Sequence, residues 1–89
     1  MTSYLTKDFT KNFQRLPEGI KEKARKNYRL WKAANNHPSL YFKRVHTREP
    51  IYSVRIGNDW WALGLREDSG IYWFWVGPHA EYEKLLKQL

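Results

Sequence analysis

His79 follows Gly77-Pro78 and opens a helical stretch in which Tyr82 stands one turn further on. An imidazole passes protons in either direction near neutral pH, and a phenol can assist it. Arg55 lies in the alternating run Tyr52-Ser53-Val54-Arg55-Ile56. The period that buries Val54 and Ile56 turns Arg55 to the other face, where a guanidinium can hold a phosphate through two parallel hydrogen bonds. Lys43, Arg44, Arg48 and Arg66 fall on or beside the same predicted strands. Cleavage of RNA by its own 2′-hydroxyl needs a base for that hydroxyl, an acid for the leaving 5′-oxygen and cations around the phosphate. His, Tyr, Lys and Arg supply all three without a metal. Each residue also has an ordinary role: Arg55 as a solvated charge paired with Glu67 or Asp68, His79 as a helix cap, and Tyr82 as core.

Other chemistries lack their residues. The 89-residue chain has no cysteine, which removes thiolate ligands, disulfides and a thiol nucleophile. His37, His46 and His79 are scattered with no metal-ligand spacing. There is no Gly-rich phosphate loop, no Ser-His-Asp set and no carboxylate pair placed for glycoside cleavage. The expectation is no metal, no cofactor and no small-molecule substrate. No apolar run approaches a membrane span and nothing resembles a signal peptide, so the expected address is the cytoplasm with no membrane partner. Sixteen Lys+Arg against nine Asp+Glu give a net charge of +7. Polyanions are the natural partners of such a surface.

These side chains must be placed by few elements. Thr6 caps a short helix carrying Phe9, Phe13 and Leu16 at i, i+4, i+7, which Pro17-Glu18-Gly19 breaks. A second helix runs from Ile20 to Ala34, with Ile20, Ala24, Tyr28, Trp31 and Ala34 as its apolar stripe. From Leu40 the period changes to two. Leu40 to Val45 reads as a short strand, followed by Tyr52 to Ile56, a Gly57-Asn58-Asp59 turn, and a return from Trp60 to Leu65. Ile71 to Val76 is apolar on both faces and reads as a central, doubly covered strand. Gly77-Pro78 opens a last helix in which Tyr82, Leu85, Leu86 and Leu89 share a face. The class is α+β: two N-terminal helices on a curled antiparallel sheet of three or four strands, then a short C-terminal helix. An extra strand before Thr6 is too short to decide from sequence. Five Trp, six Tyr and four Phe supply the core of so small a domain. The exposed members among Trp60, Trp61, Tyr72, Trp73 and Trp75 could stack on bases.

Four segments in this order resemble the RelE/ParE/HigB superfamily of type II toxin–antitoxin toxins. They are Asn36-His37-Pro38-Ser39-Leu40-Tyr41-Phe42-Lys43, Tyr52-Ser53-Val54-Arg55-Ile56-Gly57, Trp61-Ala62-Leu63-Gly64, and Trp73-Phe74-Trp75-Val76-Gly77-Pro78-His79-Ala80-Glu81-Tyr82. Phe13-Gln14-Arg15-Leu16-Pro17 fits the first helix of the pattern more loosely. The resemblance implies one RelE-like toxin domain over residues 1–89. It implies a toxin that cuts mRNA in the ribosomal A site without a metal and is neutralised by a cognate antitoxin. Arg55 matches a recurrent basic strand position, and His79 and Tyr82 match the C-terminal region where relatives place catalytic groups. Lys43 and Arg44 match a basic stretch before the hairpin and, with Arg48 and Arg66, are the expected RNA contacts.

One position departs from the pattern: many relatives have arginine where this chain has Trp61. Loss of one phosphate-clamping donor weakens transition-state stabilisation by about 2–4 kcal/mol, if it resembles loss of an oxyanion donor. Two further readings therefore stay open, a catalytically inactive RNA- or protein-binding homologue and a gyrase-directed toxin of the ParE type. The antitoxin is expected to cover the basic face with an acidic or amphipathic segment.

Overall fold

The computed structural model describes residues 1–89. Its first strand, β1 (Thr2–Leu5), leads into helix α1 (Lys7–Gln14) through Thr6, whose hydroxyl accepts from the Phe9 amide at 3.2 Å. Pro17 then caps α2 (Glu18–Ala33), its carbonyl accepting from the Ile20 and Lys21 amides, both at 3.0 Å. The helix thus starts two residues before Ile20. Proline supplies no N–H where none is needed, so Glu18 and Gly19 form the first turn instead of a break.

The expected strand from Leu40 to Val45 is mostly something else. Pro38–Leu40 is a single 3₁₀ turn, and Tyr41 takes a left-handed conformation with φ 49°. Only Lys43–Arg44 (β2) pairs with the sheet. The meander continues through β3 (Ile51–Ile56), β4 (Trp60–Glu67) and β5 (Gly70–Pro78) into α3 (His79–Gln88). Gly77 and Pro78 belong to β5, paired with Trp61 and Trp60, and the helix begins at His79.

The sheet has five strands in the order β1-β5-β4-β3-β2, not three or four. It is mixed: β1 runs parallel to β5, with Thr2 opposite Gly70 and Leu5 opposite Trp73, while every other pair is antiparallel. A half-buried hydroxyl, Ser3 Oγ, accepts from Tyr28 Oη at 2.7 Å and from Trp73 Nε1 at 3.0 Å, tying β1 to α2 and β5. The α+β class and the helix placement stand, and the sheet is larger than its alternation suggested.

Helices cover both faces. Under α1 and α2 lie Leu16, Ala24, Trp31, Leu40, Val54, Ile56, Ala62, Ile71, Trp73 and Val76. On the other face Ile51, Leu63 and Tyr82 are buried, with Trp61, Phe74, Trp75, Leu85 and Leu86 packed around them. The double covering of β5 has a register component. Leu63 faces Trp75 and Gly64 faces Trp73, so Phe74 is the extra residue of a bulge. Gly64 is required there, because a Cβ would lie 2.7 Å from Ile71 Cγ1 and 2.8 Å from Trp73 Cε3.

Candidate functional site

The β3–β4 turn anchors the candidate residues. Gly57 takes φ +65°, which closes the turn and leaves its carbonyl to accept from Arg55 Nε at 2.8 Å. Asn58 Oδ1 accepts from Arg55 Nη2 at 3.1 Å. Asp59 contributes its backbone carbonyl to the His79 amide at 2.7 Å, pinning the start of α3. One turn therefore fixes both the guanidinium and the histidine. Asn27 on α2 adds a third tie, its Nδ2 donating to the Arg55 carbonyl at 2.9 Å.

Arg55 forms no ion pair with Glu67 or Asp68. The chain's only contacts within 4.0 Å between a basic side chain and a carboxylate are Lys21–Glu18 and His79–Glu83. Two guanidinium donors are held by neutral oxygens of the turn, and the rest stay unpartnered, so the charge is fixed in place without being neutralised. Arg55 also lies over the ring of Tyr41, 5.1 Å from its centroid. Tyr41 is 52% exposed. A tyrosine at positive φ is uncommon and carries local strain. Here it places an open aromatic face beside a cation.

Directly across the ladder from Arg55 is Trp61. Its indole Nε1–H donates to His79 Nδ1 at 3.0 Å, and its ring stacks on Tyr82 at 4.9 Å and 13°. His79 Nε2 meets Glu83 Oε1 at 3.0 Å, one turn along α3. Indole N–H is a donor only, so Nδ1 carries no proton while that bond holds, and Nε2–H donates to Glu83. Tyr82 forms the floor. It is 7% exposed, and its hydroxyl donates to Ser53 Oγ at 3.4 Å on a residue with no exposure. Its hydroxyl faces the core, and its ring face carries the Trp61 indole.

Of the residues singled out from sequence, Arg55, His79 and Tyr82 converge with Trp61 on the α3 face. Lys43 shares that face through its pairing with Ser53. Arg44 and Arg66 do not. Arg44 pairs with Tyr52 and spends its guanidinium on loop carbonyls, from Nε to His46 at 3.0 Å and from Nη2 to Thr47 at 3.5 Å and Arg48 at 3.4 Å. Arg66 lies over the Tyr52 ring at 5.5 Å, on the face of α1 and α2. Arg48 is exposed in the loop that Arg44 and His46 organise. Tyr41, Glu83 and Asn58 were not read from sequence. Glu83 had a signal, four residues from His79 on one helix face, but Tyr41 had none.

A family model, the ParE-like toxin domain, matches residues 18–84, a span that holds every residue of this constellation. The chain belongs to the ParE-like toxin domain family. No curated protein sequence matches it significantly. Among solved structures, this ParE-like domain is similar to a chain of the RelB–RelE antitoxin–toxin complex from Methanococcus jannaschii. The TM-score is 0.74 at 16% identity, covering 92% of this chain and 96% of that one. It is also similar to a chain of the archaeal RelE–RelB complex from Pyrococcus horikoshii OT3, with TM-score 0.69, 16% identity, and 88% and 93% covered. YafQ from E. coli strain BL21(DE3) gives 0.65 at 15% identity, over 90% and 94%. At these identities the likeness establishes a shared fold. The ParE-like domain is thus a toxin-family member of the RelE/ParE superfamily, and none of its helices is long and apolar enough to cross a membrane.

Proposed function

We propose that this ParE-like domain, acting as a single unit over residues 1–89, is a metal-independent endoribonuclease that cuts mRNA on the ribosome in the cytoplasm. The observation that carries this reading is the unneutralised Arg55 guanidinium, held by the same turn that pins the His79 amide and flanked by the exposed ring of Tyr41. A scissile phosphate on Arg55 brings its charge against a cation that needs no reorganisation, the condition under which such contacts act most strongly. Tyr41 offers a stacking surface for a neighbouring base, and Lys43 extends the cationic strip along the same face.

In the reaction the 2′-oxygen attacks phosphorus and the bond from phosphorus to the 5′-oxygen breaks. The products are a 2′,3′-cyclic phosphate and a 5′-hydroxyl. His79 takes the 2′-hydroxyl proton, and the 5′-oxygen receives a proton from His79 or from water. Arg55 bears the charge on the pentacovalent phosphorus. Tyr82 serves through its ring, as the surface on which Trp61 and His79 are set, because its hydroxyl is committed to Ser53. Arg48 contacts RNA from its exposed loop, whereas Arg44 and Arg66 act away from the cleavage centre.

A cognate antitoxin is the second partner we propose. Two of the similar structures are toxin–antitoxin complexes, and the net charge of +7 favours an acidic segment across the α3 face. One observation favours the inactive binding module as the alternative: both ring nitrogens of His79 are already engaged. Induced expression in a bacterial host, with mRNA 5′ ends mapped during growth arrest, decides between them. Arrest with cuts inside translated codons, lost in His79→Ala, supports the nuclease. Normal growth with intact mRNA supports the binding module.

A further inference from the structure

Trp61 stands where an arginine was expected, and it does something an arginine would not. It donates a hydrogen bond to the one ring nitrogen of His79 that could accept a proton, while Glu83 accepts a hydrogen bond from the N–H of the other. In this state His79 can be neither base nor imidazolium acid. Nδ1 has its lone pair occupied, and Nε2 already carries hydrogen.

The indole is also placed to be drawn away. Arg55 is its cross-strand partner, so the two side chains leave the same face of the sheet from adjacent strands, and a phosphate on the guanidinium arrives on the face that carries the Trp61 indole. A charged phosphate oxygen is a stronger acceptor for the indole N–H than a neutral imidazole nitrogen. The ring can tilt without losing its seat, because its stacking on Tyr82 is a face contact with no directional bond.

We propose that Trp61 is a phosphate-operated latch on His79. In the free protein the indole N–H holds Nδ1 closed and fixes the Nε2–H tautomer. When RNA brings a phosphate onto Arg55, the N–H turns to a phosphate oxygen and Nδ1 is released as the base. Glu83 is the positioning residue that keeps the proton on Nε2 through both states. The latch rests on the ribonuclease reading for its second step, while the first step belongs to the free protein alone. It accounts for Trp61 as a replacement with a function and not as a lost clamp.

The test is nuclear magnetic resonance of the full 89-residue chain, labelled with ¹⁵N, reading the His79 ring nitrogens and the Trp61 indole N–H. The free protein is expected to show a single Nε2–H tautomer. Trp61→Phe, which keeps the stacked ring but loses the donor, is expected to move His79 toward a mixture of tautomers. Glu83→Gln, whose amide oxygen can still accept, is expected to retain the wild-type tautomer. Adding an uncleavable 2′-O-methyl RNA hexamer is expected to shift the Trp61 N–H and free Nδ1 in the wild type, with no matching change at His79 in Trp61→Phe. An Nδ1–H tautomer in the free wild-type protein overturns the latch without any variant. So does a hexamer that shifts the Arg55 Nε–H while leaving the Trp61 N–H unmoved. A hexamer that shifts neither, with the Nε2–H tautomer intact, sinks the ribonuclease reading and the phosphate step built upon it.

Discussion

The two faces of the sheet are built to different rules. Under α1 and α2, ten buried residues form one apolar cluster, with Trp31 edge-on to both Trp73 and Phe42 at 5.4 and 5.7 Å. Its one polar irregularity is the Trp31 indole N–H, buried without a partner beside a cavity of about 270 Å³. Under α3 only three hydrophobic residues are buried, with the Ser53 hydroxyl among them, and the aromatics there make hydrogen bonds as well as packing contacts. Stability is concentrated on the first face and directional chemistry on the second. A domain of this size has little apolar area to divide, and it has divided that area unequally.

Substitutions on the two faces should separate these roles. Trp31→Ala is expected to destabilise the domain by about 3–5 kcal/mol, read from the urea midpoint, because it empties the centre of the larger cluster. A loss below about 1 kcal/mol would mean that the helix face is not the stabilising one. Arg55→Ala should leave the midpoint nearly unchanged yet reduce RNA cleavage by about 10²–10³-fold, the scale of one lost transition-state donor. Equal losses in folding and cleavage would erase the contrast. Thr6→Val removes a cap hydroxyl that also donates to the Trp73 carbonyl at 2.8 Å, and should cost about 1 kcal/mol by thermal melting. Arg66→Ala, on the helix face over Tyr52, should change cleavage less than twofold and stability by about 0.5 kcal/mol or less. A large drop in cleavage there would move the RNA path across both faces.

The positions of Arg55 and Tyr82 were more legible in the sequence than the outline of the sheet. Alternation around Arg55 turned the side chain to the proper face, and helical spacing put Tyr82 one turn beyond His79. Arg66 lies on the opposite face from Arg55, which the sequence could not show because β4 is apolar on both sides: Trp61, Leu63 and Leu65 look as buried as Ala62 and Gly64, so parity alone names no face. Four residues on a sheet edge, with no period to detect, hid β1. Pro38 and the left-handed Tyr41 broke what looked like a strand from Leu40. The Trp61–His79 contact spans 18 residues and depends on the register of β4 with β5, which composition does not encode.

The pairing of β1 with β5 has a consequence for the order of folding. Thr6 and the carbonyl it bonds are 67 residues apart, and Thr2–Leu5 has no other strand to join. During vectorial synthesis β1 leaves the ribosome with its partner still unmade, and its edge can close only once Gly70–Pro78 has emerged. Such long-range closure slows folding relative to neighbouring hairpins. Because α3 follows β5 directly, the same late event brings His79 to the β3–β4 turn. A chain cut short before Gly70 therefore has neither a closed edge nor the histidine of the candidate site.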